Sequence, residues 1–77
     1  MAIEIHIGSL IKQKLKEQQR SYAWLANMIG CDRSNLRKQL ENPHFHTDIL
    51  CRISIVLNYN FFKPFFEKIE EKLRDKE

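Results

Sequence analysis

The sequence predicts an all-α domain of four to five helices. Apolar residues recur at the spacings i, i+3 and i+4 in successive stretches, which is the pattern of amphipathic helices. Residues that end helices separate these stretches, namely Gly30, the pair Asn42-Pro43 and residues 58–60. A chain of 77 residues has room for one hydrophobic core. We therefore expect one helical domain at residues 8–62, preceded by an extended segment at 1–7 and followed by a helical extension at 63–77.

The first seven residues alternate between isoleucines and other side chains. Ile3, Ile5 and Ile7 stand against Glu4 and His6, and this period of two predicts a short extended segment. Joining the first helix is the alternative for this segment.

The first helix is predicted from residue 8 or 9 to Gln19. Ser9 is its expected N-cap, and an apolar stripe defines its buried side. That stripe consists of Ile7, Leu10, Ile11 and Leu15. Lys12, Lys14, Lys16 and Arg20 are expected to face outward, with Lys12 in solvent.

Residues 21–41 contain two short helical patterns, and the rest of the chain is interpreted as their support. Ser21 can cap the first helix, whose apolar face is Leu25, Met28 and Ile29. Gly30 is expected to end it, because the position after a helix often takes a positive φ.

The second of these helices is predicted at residues 33–41. Asp32 can cap it, and Leu36 and Leu40 lie on its buried side at i, i+4. The connection between the two helices is then about three residues long, as in a helix-turn-helix.

The spacing of small and apolar residues distinguishes this stretch from two generic helices. Ala26 lies four residues before Gly30 and lets the helices approach, while Leu36, six residues after it, can reach back between them. This arrangement resembles the DNA-binding helix-turn-helix of the Cro and lambda-repressor (Xre-like) family. The matching residues are Leu25, Ala26, Ile29, Gly30, Cys31 and Leu36.

The chain is also similar to small helix-turn-helix proteins of the Bacteroidetes type. The strings HIGSLIKQ, CDRSNL and LCRISIVLNYNFF carry this likeness, which extends over residues 6–62. One position departs from the pattern: Leu40 is the last buried residue of the second motif helix, and Gln39 holds the usual place. The end of that helix is therefore expected to be rotated or to end differently.

The resemblance implies a lambda-repressor-like fold in which the second motif helix enters the major groove of DNA. Once Leu36 and Leu40 are subtracted, the outward residues that would read bases are Arg33, Ser34, Arg37 and Lys38. An arginine can bond O6 and N7 of guanine together. The residues expected at the DNA backbone are Lys16, Arg20, Ser21, Tyr22, Asn35 and His44. Surface packing for Tyr22 and an exposed loop position for His44 are the alternatives.

Positive charge is concentrated in the same part of the chain. Residues 8–46 carry seven Lys or Arg against three Asp or Glu, whereas residues 59–77 carry five of each. A basic region on the expected reading surface is typical of a nucleic-acid-binding protein. A solvated lysine-rich surface would explain the charge alone, but not its coincidence with the motif.

The C-terminal third combines a fourth helix with an aromatic cluster. Thr47 is the expected cap of that helix, and Phe45 is expected to anchor the preceding loop. The segment FFKPFF holds four phenylalanines in six residues, more than closing a small core requires. Some of them are expected to close the core against the first helix, and an exposed remainder would form a dimer or partner surface. The candidates for that surface are Phe61, Phe62, Phe65 and Phe66. A last helix is predicted from Glu67.

Other functional classes find little support in the sequence. It contains no Gly-rich phosphate loop, no paired carboxylates in a plausible cleft and no nucleophile with a base, so we expect neither an enzyme, nor a cofactor, nor a small-molecule substrate. Cys31, His44, His46 and Cys51 are zinc-ligand types without zinc-ligand spacing, so no metal is expected. Without an apolar run of about 20 residues or a signal peptide, we expect a cytoplasmic protein with no membrane partner.

The sequence thus predicts a small bacterial transcriptional regulator that binds double-stranded DNA sequence-specifically. A homodimer would read two half-sites. The alternatives are a protein–protein adaptor or antitoxin-like module that uses the aromatic C-terminal segment, and a pair of core helices without any DNA role.

Overall fold

The computed structural model describes residues 5–42 and 44–75, and these residues confirm the all-α prediction. No strand occurs within them. The helices are α1 (Ile7–Glu17), α2 (Tyr22–Ile29), α3 (Arg33–Glu41), α4 (Thr47–Leu57) and α5 (Lys63–Asp75). None of these helices combines the length and the apolar content that crossing a bilayer requires.

The start of α1 differs from the prediction. His6, not Ser9, is the N-cap, because its Nδ1 accepts a hydrogen bond from the Ser9 backbone N–H at 3.2 Å. Ile7 is therefore the first helical residue and not the last residue of an extended segment, while residues 1–4 of that predicted segment lie outside the described part. The His6 Nε2 lies 3.2 Å from the Glu41 carbonyl oxygen and links the start of α1 to the end of α3.

The helices α2 and α3 and the turn between them follow the prediction closely. The Ser21 hydroxyl accepts from the Trp24 N–H at 3.0 Å, and Gly30 ends α2 with a φ of 73°. Asp32 occupies the N-cap position of α3, although its side chain makes no capping hydrogen bond. Met28 was wrongly expected on the buried face: its side chain is 53% exposed, because the core contacts of α2 run through Leu25 and Ala26.

The core lies among α1–α4 and the first residue of the FFKPFF segment. α3 packs against α1 and α2, and α2 also packs against α4. The buried apolar residues are Ile7, Ile11, Leu15, Leu25, Ala26, Leu36, Leu40, Leu50, Ile53, Leu57 and Phe61. The motif residues Leu25, Ala26, Leu36 and Leu40 are thus buried as expected, and Ile29 is partly buried against them.

Gly8 marks the closest approach of α1 to α3. A methyl group added at Gly8 would overlap the backbone carbonyl of Leu40. A residue with any side chain would push the two helices apart, so glycine at this position fixes how α3 sits on α1.

The last two helices begin earlier than the sequence predicted. Thr47 is the first residue of α4 and His46 is the N-cap, so the predicted cap is displaced by one residue. α5 begins at Lys63, four residues before Glu67.

The aromatic segment has an inner and an outer part. Phe61 was wrongly expected at a partner surface, since it is fully buried and its ring meets Tyr59 edge-on at 4.8 Å. Phe62 and Phe65 are partly buried against the core, whereas Phe66 is 64% exposed. The molecule measures 45 × 21 × 20 Å, as expected when one helix extends beyond a small body.

Candidate functional site

The outer face of α3 is polar and open. Leu36 and Leu40 are buried on the inner side of α3, so the residues on its outer side are exposed. These are Arg33, Ser34, Arg37 and Lys38, the four residues expected to read bases, and Asn35. An α-helix with its side chains is about 10–12 Å across, so α3 is of a width that the DNA major groove of about 12 Å can admit.

A groove of about 570 Å³ lies beside this face, between α1, the start of α2 and the start of α3. It is lined by Lys12, Gln13, Leu15, Lys16, Arg20, Ser21, Tyr22 and Arg33. We call it the basic groove, because four of these side chains are cationic and none is acidic. It brings together four of the residues expected at a DNA backbone with Arg33, which is expected to read a base.

The N-terminus of α2 opens into the basic groove. Ser21 lines it, and the first helical backbone hydrogen bond runs from the Leu25 N–H to the Ser21 carbonyl. The N–H groups of Tyr22 and Ala23 therefore precede the helical ladder and have no acceptor within it. Free N–H groups at the positive end of a helix dipole suit an anion such as phosphate.

Two arginines at this surface lie near aromatic rings. The Arg20 guanidinium carbon lies 4.4 Å from the centre of the Trp24 ring, and that of Arg37 lies 6.0 Å from the centre of the Tyr22 ring, at the outer limit of a cation–π contact. Contact at the shorter distance restricts the Arg20 side chain while leaving its guanidinium N–H groups free at the edge. Tyr22 is therefore a link between α2 and α3 as well as part of the groove lining.

Lys12 is the one groove cation with an acidic partner among the described residues. Its Nζ lies 3.0 Å from Glu41 Oε1 at the end of α3. This hydrogen bond and the positive charge of Lys12 lower the pKa of the Glu41 carboxyl, with smaller contributions from His6 and Arg37. The described ion pairs involve none of Lys16, Arg20 and Arg33, so these three present uncompensated charge to the groove.

His44 and Asn35 are not brought into the basic groove. His44 lines a separate concavity of about 410 Å³ together with Gln39, Asn42, Phe45, His46 and Ile49. Its backbone N–H donates to the Asn42 side chain at 3.0 Å. The expected backbone contact of His44 therefore depends on how a duplex would lie beyond α3, and the groove gives it no support.

Lys12 lines the basic groove, although the sequence predicted it in solvent. Lys12, Lys16 and Arg20 recur every four residues, which is the spacing of one helix face. That period would have identified Lys12 as a neighbour of the other two cations. The role of Glu41 had no such signal, because its partner lies 29 residues away in the chain.

The four cysteine and histidine residues considered as zinc ligands do not form a metal site in the described part of the chain. No group of three or more His, Cys, Asp or Glu residues there could hold a metal ion. Burial and the neighbouring Asp32 raise the pKa of the Cys31 thiol, while Cys51 is exposed on α4.

Comparisons with protein-family models, with curated proteins and with solved structures find no match to this chain. The resemblance to Cro and lambda repressor therefore stays a prediction from the motif residues of the sequence.

Proposed function

We propose that this protein binds double-stranded DNA sequence-specifically, as a small transcriptional regulator of the Cro and lambda-repressor type. In this proposal α2, residues 30–32 and α3 form a helix-turn-helix within a lambda-repressor-like domain. The observation that carries it is the adjacency of the basic groove to the exposed polar face of α3, with Arg33 common to both.

The basic groove would take the phosphate backbone. Lys16 and Arg20 supply positive charge and take part in none of the ion pairs of the described residues. Ser21 and Tyr22, at the start of α2, line the same space, where free backbone N–H groups can donate to a phosphate. Phosphate contacts of this kind fix the position of a protein on DNA and provide most of its affinity by releasing counterions.

The outer face of α3 would read base edges. With a phosphate held in the groove, Arg33 lies between the backbone and the first bases, and Ser34, Arg37 and Lys38 continue along the helix. The guanidinium carbon of Arg37 lies 6.0 Å from the centre of the Tyr22 ring, which places Arg37 beside the residue that begins α2. A paired arginine contact to guanine discriminates by about 1–3 kcal/mol.

A second candidate is a protein–protein adaptor or antitoxin-like module. The exposed apolar side chains of α5 favour it, because Phe66 is 64% exposed and Leu73 is 52% exposed. In that case substitutions on α5 would abolish function and substitutions on α3 would not. We propose neither an enzymatic activity nor a cofactor for either candidate.

The phosphate role of the groove can be tested with matched pairs of substitutions. Lys16→Ala and Arg20→Ala remove groove cations, whereas Lys72→Ala and Arg74→Ala remove the same residue types from α5. Binding to a short labelled duplex of mixed sequence is measured by fluorescence anisotropy across a salt series. We expect each groove variant to bind more weakly and to reduce the slope of log K against log salt by about 1, with the α5 variants unchanged. Equal losses from both pairs, or none from the groove pair, would overturn the proposal.

A further inference from the structure

The side chain of Gln39 on α3 carries an amide oxygen that is buried but not satisfied. This atom, Oε1, has no hydrogen-bond partner among the described residues. A buried acceptor without a donor is costly, because it has given up its hydrogen bonds to water. Gln39 is also the residue at which the sequence departs from the resembled motif. An occupant that brings a donor to this oxygen would therefore be stabilised there.

Gln39 lies between two cavities. The larger is the concavity of about 410 Å³ that His44 lines, and the smaller, of about 140 Å³, lies between the turn after α2, α3 and α4. Gln39 and Ile49 line both of them. We call the larger one the α3–α4 cavity, and its volume is within the range of about 300–1,000 Å³ that is usual for small-molecule sites.

The other walls of the α3–α4 cavity offer apolar surface. Phe45 and Ile49 line it, and both are only partly buried against the core. The Asn42 Oδ1 accepts from the His44 backbone N–H at 3.0 Å, which holds the loop before α4. The side chains of His44 and His46 are exposed, so the cavity opens to solvent beside them. An occupant thus has apolar surface to cover and one buried acceptor to satisfy.

We propose that the α3–α4 cavity binds a flat, largely apolar heterocycle that carries one N–H donor, a class of which indole is a simple member. The ring packs against Phe45 and Ile49, and its N–H donates to the Gln39 Oε1. Packing removes apolar surface from water, and the hydrogen bond satisfies the buried oxygen. A water molecule would satisfy the oxygen but leave the apolar walls hydrated. The ligand is bound as an effector and undergoes no reaction.

The site is separate from the basic groove. None of the residues that line the α3–α4 cavity also lines the groove. A bound ring would connect Gln39, near the end of α3, with Ile49, in the first turn of α4, and so steady one helix on the other. The inference does not depend on DNA binding, and its test uses no DNA.

A comparison of indole with benzofuran tests the proposal on the wild-type chain. The two molecules have nearly the same shape, but benzofuran has a ring oxygen in place of the N–H group. Each is titrated into the ¹⁵N-labelled full chain, and the backbone amide signals are followed by NMR. We expect indole to shift the signals of Gln39, Phe45 and Ile49 with saturation in the millimolar range or below, and benzofuran to bind about tenfold more weakly. The signals of Lys16 and Arg20 in the basic groove should stay in place.

Three results of that titration would overturn the proposal. The first is that neither ring shifts the signals of the cavity residues, as expected if water alone occupies the cavity. The second is that the shifts lie elsewhere in the molecule, and the third is that the two rings bind equally well.

A substitution at Gln39 tests whether its oxygen is the acceptor. Gln39→Leu keeps an apolar side chain of similar size and removes the oxygen, so indole and benzofuran should bind this variant with equal affinity. Gln13→Leu makes the same change at an exposed position of α1 and should keep the tenfold preference for indole. Thermal unfolding followed by circular dichroism checks that both variants fold. A preference for indole that persists in Gln39→Leu would show that another group accepts the hydrogen bond and would overturn the proposal.

Discussion

Apolar side chains are buried in one region of the molecule and exposed in the other. The first region is the body formed by α1–α4, and the second is the C-terminal helix α5. In the body, Leu36 and Leu40 are completely buried between neighbouring helices. In α5, Leu73 is 52% exposed and Phe66 is 64% exposed. The body also carries the excess positive charge, whereas residues 59–77 are charge-balanced. The chain therefore separates a basic surface, suited to a polyanion, from a neutral apolar surface, suited to another helix.

The two regions are joined at a small number of contacts. Phe61 is buried in the body, and its backbone N–H donates to the Ser54 hydroxyl at 3.3 Å. That hydroxyl in turn donates to the Leu50 carbonyl within α4. The direction in which α5 leaves the body is thus set near Phe61 and not along the helix.

The strongest test of this contrast replaces one leucine by alanine in each region and compares the losses of stability. Leu36→Ala should lower the free energy of unfolding by about 2–5 kcal/mol, because it leaves a cavity between α2 and α3. Leu73→Ala should change it by less than about 0.5 kcal/mol at protein concentrations too low for dimer formation, since the side chain is half exposed. Urea denaturation followed by circular dichroism measures both values. Similar losses of unfolding free energy in the two variants would contradict the contrast between a buried core in α1–α4 and exposed apolar residues on α5.

A glycine substitution tests how tightly the body is packed. Gly8→Ala should destabilise the protein by about 1–3 kcal/mol, because the new methyl group collides with the Leu40 backbone and forces α1 from α3. Gly30→Ala is the comparison: its methyl group meets open space, and the positive φ alone should cost about 1 kcal/mol. Thermal unfolding of both variants shows which of the two substitutions destabilises the protein more. A harmless Gly8→Ala would mean that α1 and α3 are not in close contact.

The junction between the regions can be weakened without touching either surface. Ser54→Ala removes the acceptor of the Phe61 N–H, which should cost about 1 kcal/mol. Hydrogen exchange should then speed up at the Phe61 amide and through the first turn of α5, while the amides of α2 and α3 keep their protection. Uniformly faster exchange across the body would show that Ser54 supports the core instead.

The smallest expected effect concerns the ion pair between α1 and α3. The pKa of Glu41 is lowered in the folded protein, chiefly by its hydrogen bond to Lys12. The pair therefore stabilises the fold above the unfolded-state pKa of the carboxyl, and this contribution is lost as the pH falls through the folded-state value. Urea unfolding should show Glu41→Gln slightly less stable than wild type at neutral pH and equal to it in acid. Glu67→Gln on α5, which takes part in none of the described ion pairs, is the control, and a difference between Glu41→Gln and wild type that persists in acid would argue against the ion pair.

The sequence was informative wherever the signal is local. Ser21, Gly30 and the spacing of Leu36 and Leu40 predicted the two motif helices, because caps and helix periods involve residues close in the chain. Lys16, Arg20, Ser21 and Tyr22, which the resemblance implies at the DNA backbone, all line the basic groove.

Contacts between distant residues left no such signal. The approach of Gly8 to Leu40 spans 32 residues, so a glycine near a helix start gave no hint of its neighbour. The burial of Phe61 beside the exposure of Phe66 could not be predicted either, since four phenylalanines in one segment are equivalent until α5 takes its direction. Met28 was wrongly predicted in the core for a different reason: an eight-residue helix has too few turns to define its buried face from periodicity alone.

The most direct test of the central claim is selection of bound sequences from a randomised duplex library, with Arg33→Ala and Arg37→Ala selected in parallel. We expect the wild-type chain to enrich one motif, with affinity that falls steeply as salt rises, and each variant to relax particular base positions. Weak and uniform binding to all duplexes, unchanged by either substitution, would contradict the claim and make α2 and α3 a scaffold for a partner at α5.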